Sequence, residues 1–222
     1  MKIVNALFPV EPDTAPIAGG NLMADTTSTP LPKARPDALS IAGQLCAARA
    51  SHVPPLLLLF ATPTIGLSAS LLIYETGLAL HYVVSAPVLL VDLGGSSGTL
   101  TSIYARTHRS DVMTQHNPWV IEGEARFALA RLMEPNVSLL TAVSSERFTS
   151  FLEFARTRFS AILFDAGSVP DSVVGVLAAG HCDGVVLCIR LGKSTLTEVE
   201  TAHTLFGQAN SKIVGFVFDE IS

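Results

Sequence analysis

Short apolar runs of strand length recur along the chain, and amphipathic segments of helical length separate them. Runs that are apolar at every position indicate strands buried on both faces of a sheet. The alternation predicts an α/β protein with a doubly wound, mainly parallel sheet flanked by helices. We predict strands over residues 56–60, 87–92, 137–141, 161–165, 184–190 and 213–218. We predict helices over residues 38–50, 67–82, 100–106, 122–133, 173–179 and 195–208, and one more that begins after Ser144 or Ser145.

Residues 1–37 differ from the rest of the chain in having six prolines and no hydrophobic period. Such a segment cannot build a core of its own, and we expect a flexible, proline-rich arm. Asp37 is a candidate cap for the helix that follows. Residues 38–222 then form one α/β domain, in which residues 107–120 lack a period and are predicted to be a surface loop.

The composition supports a buried sheet and argues against some classes of partner. Hydrophobic residues make up 49% of the 222 residues and charged residues only 15%, as expected when central strands have no exposed face. The net charge is -5 and the basic residues are scattered, which argues against nucleic acid as a partner. Three cysteines without metal-ligand spacing indicate reduced thiols. No apolar run reaches the ~20 residues of a transmembrane helix, so we expect a cytoplasmic protein.

The first predicted strand leads through a turn into a helix, over the sequence Ala61-Thr-Pro-Thr-Ile-Gly-Leu-Ser-Ala-Ser70. A phosphate-binding loop, G-x-x-x-x-G-K-[ST], has the same setting: backbone N–H groups cradle the phosphates, and the Lys neutralises their charge. Gly66 and Ser68 match that pattern. Leu67 stands at the Lys position and offers neither a charge nor a donor. The sequence therefore predicts the shape of a nucleotide site without its cation.

Two acidic residues, Asp92 and Asp165, stand at the ends of predicted buried strands. Ligands of a doubly wound sheet bind beyond the carboxyl ends of the strands, so we expect both carboxylates to converge with the loop over 62–68. Together with Ser68 they are candidate ligands of Mg²⁺ in a nucleotide complex. The competing interpretation is that the two carboxylates are helix-capping or loop residues. Leu67 favours it, because a metal ion at this place needs a phosphate partner.

The C-terminal third of the chain carries a resemblance to a known family. The residues that carry it are Phe159-Ser-Ala-Ile-Leu-Phe-Asp165, Cys182-Asp-Gly-Val-Val-Leu-Cys-Ile-Arg190-Leu-Gly-Lys-Ser-Thr195 and Ile213-Val-Gly-Phe-Val-Phe-Asp219. They resemble the ATP-binding domain of the bacterial tyrosine autokinases of capsule and exopolysaccharide assembly, within the ParA/MinD-like P-loop ATPases. The resemblance covers about residues 55–222 in order, and it implies a P-loop NTPase-like fold.

The family's functional residues are only partly present in this sequence. Four positions match its nucleotide and Mg²⁺ site, namely Gly66, Ser68, Asp92 and Asp165. Three positions depart from it: Leu67 replaces the loop Lys, Gly94 replaces a second acidic residue, and Asp219 replaces an Asn that packs on adenine. The tyrosine cluster of the family's autophosphorylated tail is not found in the sequence. The resemblance therefore implies a degenerate member, with Gly66, Ser68, Asp92 and Asp165 as a vestigial nucleotide site.

Loss of the loop Lys removes a charge placed against the transferred phosphoryl group, and one such contact contributes ~3–4 kcal/mol to lowering the barrier. We therefore interpret the chain as a catalytically silent, kinase-like protein and assign it no cofactor, neither ATP nor Mg²⁺. The resemblance implies a role in exopolysaccharide synthesis and export at the inner membrane. Its expected partner is the cytoplasmic part of a membrane polysaccharide co-polymerase. A homodimer is a second expectation, because Ile65 and Leu67 make the rim of the loop apolar.

Two enzymatic alternatives stay open. The loop Asp92-Leu-Gly-Gly-Ser-Ser-Gly98 is close to the D-x-G-x-G-x-G loop of S-adenosylmethionine-dependent methyltransferases, whose glycines let the backbone approach a ligand. In this chain a strand and a helix precede the loop, whereas the methyltransferase loop normally follows the first strand of the sheet. The other alternative is a residual nucleotide-binding ATPase.

Overall fold

The computed structural model describes residues 36–49, 55–94, 98–108, 112–116, 118–132, 137–171 and 173–219. The helices within these ranges are α1 (Pro36–Arg49), α2 (Ser70–Val84), α3 (Thr99–Thr107), α4 (Leu139–Val143), α5 (Glu146–Arg156), α6 (Val173–Ala179) and α7 (Leu196–Gln208). The strands are β1 (Leu56–Thr62), β2 (Val88–Asp92), β3 (Val112–His116), β4 (Trp119–Glu124), β5 (Phe127–Leu132), β6 (Ala161–Ser168), β7 (Gly184–Arg190) and β8 (Ile213–Asp219). None of these helices has both the length and the apolarity that crossing a membrane requires.

The strands form one sheet in the order β3-β4-β5-β2-β6-β1-β7-β8. From β5 to β8 neighbouring strands pair in parallel, whereas β3, β4 and β5 pair antiparallel at one edge. β6 lies between β1 and β2 in the middle of the sheet. The carboxyl ends of β1 and β2 therefore lie beside the second half of β6, and this part of the sheet carries Thr62, Asp92 and Asp165.

Helices cover both faces of this sheet. Helices α1, α2 and α3 pack on one face, where Ile41, Leu72 and Ile103 share a core with the strands. Helices α4 to α7 pack on the other face, where Phe148 and Phe206 belong to a second core. Every residue of β1 and β2 is buried, which confirms the prediction of strands covered on both sides and of a doubly wound, mainly parallel sheet.

Most predicted elements are found close to their predicted bounds. The bounds of α6 and β7 are those predicted, and α5 begins after Ser145 as predicted and buries Phe148, Phe151, Leu152 and Ala155. Helix α7 lies within its predicted range and begins with a capping box. The Thr195 hydroxyl accepts the Glu198 N–H at 3.3 Å, and the Glu198 carboxylate accepts the Thr195 N–H at 2.7 Å. The predicted positions of these elements are confirmed.

The loop predicted over 107–120 and the helix predicted over 122–133 are both wrong. Residues 112–132 contain β3, β4 and β5, and Glu122 lies in a strand. Alternate side chains of β5 belong to opposite cores, with Ala128 in one and Phe127 in the other. A diagonal cross-strand ion pair joins Arg131 Nη2 to Glu122 Oε1 at 2.6 Å. Tertiary packing on both faces has overridden the helical propensity of the Glu, Ala, Arg and Leu residues here.

The strand predicted over 137–141 is also wrong, because helix α4 occupies this place. Ser138 is its N-cap, and its hydroxyl accepts the Thr141 N–H at 3.1 Å. An apolar run this short does not distinguish a strand from a buried helical turn.

Helix α1 begins at Pro36, so Asp37 lies within the helix and is not its cap. Proline suits the first helical position, because its fixed φ is helical and its missing N–H would have no partner there. Apart from these two positions, the arm predicted over 1–37 lies outside the described residues and stays a prediction.

Candidate functional site

The loop between β1 and α2 keeps the predicted turn, but the helix begins later than predicted. Gly66 has a φ of 73°, in the left-handed region that only glycine enters at little cost. Helix α2 begins at Ser70, so the predicted start near Leu67 is wrong. The Ser68 hydroxyl accepts the Ser70 N–H at 3.1 Å. This local bond competes with helical hydrogen bonding and keeps residues 67–69 outside the helix.

Two threonine hydroxyls hold this loop in place. The buried Thr62 hydroxyl lies 3.0 Å from the carbonyl oxygen of Leu67, at the other end of the turn. The Thr64 hydroxyl lies 2.9 Å from Ser194 Oγ and 3.2 Å from Glu198 Oε2. The loop is therefore tied to the start of α7 as well as to its own strand.

Asp165 lies in the second half of β6, level with the end of β2, and it accepts hydrogen bonds from Ser70 and Gly167. The Ser70 hydroxyl donates to Asp165 Oδ2, and the Gly167 N–H donates to Oδ1 at 3.0 Å. Ser68 Oγ lies 2.6 Å from Ser70 Oγ and is itself exposed. The predicted Ser68 therefore reaches Asp165 only through Ser70, a residue that the loop pattern does not single out.

The environment of Asp165 raises the pKa of its carboxyl group to about 6, mainly because burial penalises the charged form. The hydrogen bond from Ser70 lowers the pKa, the nearby Asp92 raises it, and the Gly167 N–H lowers it. The net effect is that the folded protein binds a proton at Asp165 more tightly than an exposed aspartate does.

Asp92 lies beside Asp165, since the two residues are paired in register on β2 and β6. The predicted convergence of the two carboxylates is thus found. The oxygens of Asp92 accept three hydrogen bonds from the connection to α3: the Gly94 N–H at 2.7 Å, the Thr101 N–H at 2.7 Å and the Thr101 hydroxyl at 2.6 Å. Asp92 thus fixes the start of α3, which is the capping role that the sequence left open for it.

The glycines of the loop after β2 leave room for the carboxylate of Asp92. A Cβ atom added at Gly98 would overlap both carboxylate oxygens of Asp92, and one added at Gly94 would lie 2.9 Å from Asp92 Oδ1. Residues 95–97 of the proposed methyltransferase loop lie outside the described residues. Within the described part, the small side chains make room for Asp92, which explains the glycine spacing without a ligand.

A cavity of about 90 Å³ opens between β1, the start of α2, and the ends of β7 and β8. Its lining consists of Thr62, Leu67, Ser68, Ala69, Leu71, Leu72, Cys188, Ile189, Arg190 and Asp219. Arg190 and Asp219, which are paired in register on β7 and β8, form an ion pair in this lining, with Nη2 and Oδ2 3.1 Å apart. Ligand pockets usually measure about 300–1,000 Å³, so this cavity is too small for a nucleotide.

These residues do not fit an ATP–magnesium complex. Leu67, at the position where the resemblance implies a Lys, lines the cavity, and the cation in the lining, Arg190, is paired with Asp219. Asp92 and Asp165 are both engaged in hydrogen bonds. Within the described ranges, no three His, Cys, Asp or Glu side chains are grouped as a metal site. A triphosphate here would lose its hydration without a compensating charge.

Comparison with known proteins gives matches among solved structures. No protein-family model and no curated protein matches the chain. The chain is similar to the chimerical protein CapA2B2, with a TM-score of 0.65 and 15% identity over 80% of this chain and 81% of that one. It is similar to the kinase domain of the Escherichia coli tyrosine kinase ETK, with a TM-score of 0.62 and 14% identity over 82% and 75%. It is also similar to the MinD cell division protein of Aquifex aeolicus, with a TM-score of 0.55 and 13% identity over 75% and 70%.

At these identities the similarity shows the fold. The chain has the P-loop NTPase-like fold that bacterial tyrosine kinase domains share with MinD-like ATPases, which confirms the predicted fold and the resemblance to this group. The roles of individual residues in this chain rest on the geometry described above.

Proposed function

We propose that this chain is a catalytically silent, P-loop kinase-like protein that acts as a partner or regulator in bacterial exopolysaccharide biosynthesis and export. The observation that carries the proposal is the side chain of Leu67, which lines the cavity where the resemblance places the phosphate-binding Lys. The bond from Ser70 to Asp165 supports it, because that carboxylate is already occupied by a neutral donor. Phosphoryl transfer depends on charges aimed at the phosphoryl group, and Leu67 supplies none.

In this role the domain docks on the cytoplasmic part of a membrane polysaccharide co-polymerase and lies peripherally at the inner membrane. The fold shared with the kinase domain of tyrosine kinase ETK supports this class of partner. A complementation experiment tests the proposal. Deletion of the gene should reduce polymer export, and the Asp165→Ala variant should restore export as well as the parent does. Restoration by the parent but not by a folded Asp165→Ala protein would contradict a non-catalytic role.

We expect the purified protein neither to hydrolyse ATP nor to phosphorylate itself. The reason is the apolar Leu67 at the Lys position together with the engaged carboxylates Asp92 and Asp165. Release of phosphate from ATP, with and without Mg²⁺, is the measurement, and Asp165→Ala is the control. Mg²⁺-dependent turnover that disappears in Asp165→Ala would favour the residual ATPase. Calorimetric titration with ATP, ADP, GTP and S-adenosylmethionine separates the alternatives, since binding of S-adenosylmethionine alone would favour a methyltransferase.

We expect Leu67→Lys not to restore ATP binding. The cavity stays too small, Asp165 still accepts from Ser70, and Asp219 remains on the cavity wall. Leu67 is only half-buried, so the free energy of unfolding should change by about 1 kcal/mol or less. Leu67→Gln is the matched control, of similar length without the charge. Micromolar ATP affinity in Leu67→Lys but not in Leu67→Gln would show that one residue silences an otherwise intact site.

A further inference from the structure

Three side chains form a continuous line of hydrogen bonds from the core to the surface. Asp165 and Ser70 are 4% and 2% exposed, and Asp165 Oδ2 accepts the Ser70 hydroxyl. Ser70 Oγ in turn lies 2.6 Å from Ser68 Oγ. Ser68 is exposed and lines the cavity. These three residues, which we name the hydroxyl line, therefore connect a buried titratable group with the cavity through two hydroxyl groups.

The ionised form of Asp165 sets one direction for the hydrogen bonds of the hydroxyl line. A carboxylate only accepts, so the Ser70 hydroxyl donates to Asp165, and Ser70 Oγ is left to accept the Ser68 hydroxyl proton. Ser68 Oγ already accepts the Ser70 N–H at 3.1 Å. One lone pair of Ser68 Oγ therefore remains for a group in the cavity, and Ser68 acts as an acceptor there.

The protonated form of Asp165 reverses that direction. The Gly167 N–H donates to Asp165 Oδ1 at 3.0 Å, so the acid proton belongs on Oδ2, the oxygen that faces Ser70. Oδ2 then donates to Ser70 Oγ, and the Ser70 hydroxyl donates to Ser68 Oγ. Both lone pairs of Ser68 Oγ are now used, because the Ser70 N–H keeps its bond to this atom. The Ser68 O–H is therefore left for the cavity, and Ser68 acts as a donor there.

The charged and titratable groups near Asp165 include Asp92, Cys188 and the Arg190–Asp219 ion pair. Burial is the main cause that raises the pKa of Asp165 to about 6, and Asp92, paired with it in register on β2, adds to the rise. On β7, burial raises the pKa of the Cys188 thiol, and Asp165 and Asp219 raise it further, so this thiol stays neutral. The Arg190–Asp219 ion pair belongs to the cavity lining and lies outside the hydroxyl line. The proton that binds near pH 6 is therefore assigned to Asp165.

We propose that the hydroxyl line is a proton-controlled switch, through which Ser68 presents an acceptor to the cavity when Asp165 is ionised and a donor when Asp165 is protonated. The cavity measures about 90 Å³ and has room for one small group. Ser68 thereby favours a group that donates, such as an ammonium, at high pH and one that only accepts, such as a carbonyl, at low pH. The inference goes beyond the proposed function and does not rest on it, because it involves neither a nucleotide nor a polysaccharide.

Carbon-13 NMR of the full chain tests the switch. The Asp165 carboxyl carbon and the Ser68 Cβ should titrate with one shared midpoint near pH 6, because the Ser68 hydroxyl turns as Asp165 binds its proton. Ser138 is the matched control: it is exposed, its Oγ lies 2.8 Å from Thr141 Oγ1, and it accepts the Thr141 N–H at 3.1 Å. Within the part of the chain that the structure describes, no carboxylate is bonded to Thr141, so the Ser138 Cβ shift should stay constant. A constant Ser68 signal beside a titrating Asp165 would overturn the proposal.

Two variants separate the switch from a direct effect of the Asp165 charge on Ser68. In Asp165→Asn the side-chain NH₂ donates to Ser70 Oγ as the acid proton does, so the Ser68 Cβ shift at pH 8 should equal that of the parent at pH 5. In Ser70→Ala the hydroxyl line is interrupted, so Asp165 should still titrate while the Ser68 Cβ shift stays constant. Circular dichroism checks that each variant is folded, and Asp165→Asn decides the question by itself if Ser70→Ala does not fold. A Ser68 titration that persists in Ser70→Ala, or a Ser68 shift in Asp165→Asn equal to that of the parent at pH 8, would overturn the proposal.

Discussion

Replacing Asp165 with asparagine is expected to raise the free energy of unfolding at pH 8 by about 2–3 kcal/mol. Asp165 is only 4% exposed, and burial raises the pKa of its carboxyl group to about 6. The unfolded chain has an aspartate pKa of ~3.9, so ionisation costs more in the folded protein than in the unfolded one. Asparagine has the same shape without a charge, and it removes that cost.

The hydrogen-bond partners of Asp165 can also bond to an asparagine side chain. Its amide oxygen can keep the bond from the Gly167 N–H, and its NH₂ group can donate to Ser70 Oγ. The Ser70 hydroxyl can then donate to Ser68 Oγ, 2.6 Å away. All partners stay satisfied, which is why we expect a net gain and not the usual penalty for changing a buried polar group.

The raised pKa of Asp165 also determines how the free energy of unfolding depends on pH. The folded pKa of Asp165 lies above the unfolded value, so protonation favours the folded state. Its stabilising contribution is fully present below pH ~4 and is lost as the pH rises through about 6. Parent and Asp165→Asn should therefore have similar stability near pH 4 and diverge up to about pH 7.

Urea unfolding followed by circular dichroism between pH 4 and pH 8 measures both effects. Glu153→Gln, on the exposed surface of α5, is the control for removing one carboxylate and should leave the pH dependence unchanged. A less stable Asp165→Asn at pH 8, or a pH dependence parallel to that of the parent, would mean that the ionised carboxylate stabilises the fold.

Gly98→Ala is expected to cost about 3–5 kcal/mol of stability, a large loss for a single methyl group. The backbone of Gly98, with φ of -57° and ψ of 141°, is open to any residue, so the cost is not conformational. The added Cβ overlaps the carboxylate of Asp92, which must move and give up its bonds to Gly94 and Thr101.

A double-mutant cycle tests this explanation. Asp92→Ala removes the overlap, so Gly98→Ala should cost less than about 1 kcal/mol in that background. Gly207→Ala is the control: it lies in α7 with no atom within 4 Å of an added Cβ, and it should stabilise the protein by up to about 1 kcal/mol. An equal cost of Gly98→Ala with and without Asp92 would indicate that the glycine is needed for something else, such as the close approach of a ligand.

The parallel part of the sheet was predictable because its signal is local. The residues of β1, β2 and β7 are mostly apolar, and β6 begins with four apolar residues. The acidic residues Asp92 and Asp165 each follow the apolar run of a strand, and the doubly wound topology places these positions side by side. Their convergence therefore followed from the order of the elements.

The antiparallel edge was not predictable in the same way. Residues 122–133 are good helix formers, and the strand conformation of β4 and β5 depends on Trp119 and Phe127 packing against opposite cores. The contact of Arg131 with Glu122 gives a cross-strand signal, but a spacing of nine residues has no meaning until the hairpin is known. Packing between residues that are distant in the sequence therefore determines the conformation of this edge of the sheet.

Ser70 was missed for a related reason. The phosphate-loop pattern fixes the hydroxyl directly after the Lys position, which is Ser68, and it assumes that the helix begins there. The local bond between Ser68 and Ser70 delays the helix, so the hydroxyl that meets Asp165 comes two residues later. Competition between side-chain and backbone hydrogen bonds moved the start of α2, and the phosphate-loop pattern takes no account of such competition.

Trp119 gives the protein an intrinsic optical reporter for one side of the sheet. It is the single tryptophan, it is fully buried, and its ring lies 5.2 Å from Phe151 and 5.4 Å from Phe148, measured between centroids. These rings belong to the core under α4 to α7, whereas Leu72 of the cavity belongs to the opposite core. Tryptophan emission should therefore report loss of the fold and stay constant when the cavity is filled. An unlabelled sample can thus distinguish a variant that unfolds from one that keeps its fold but has an altered cavity.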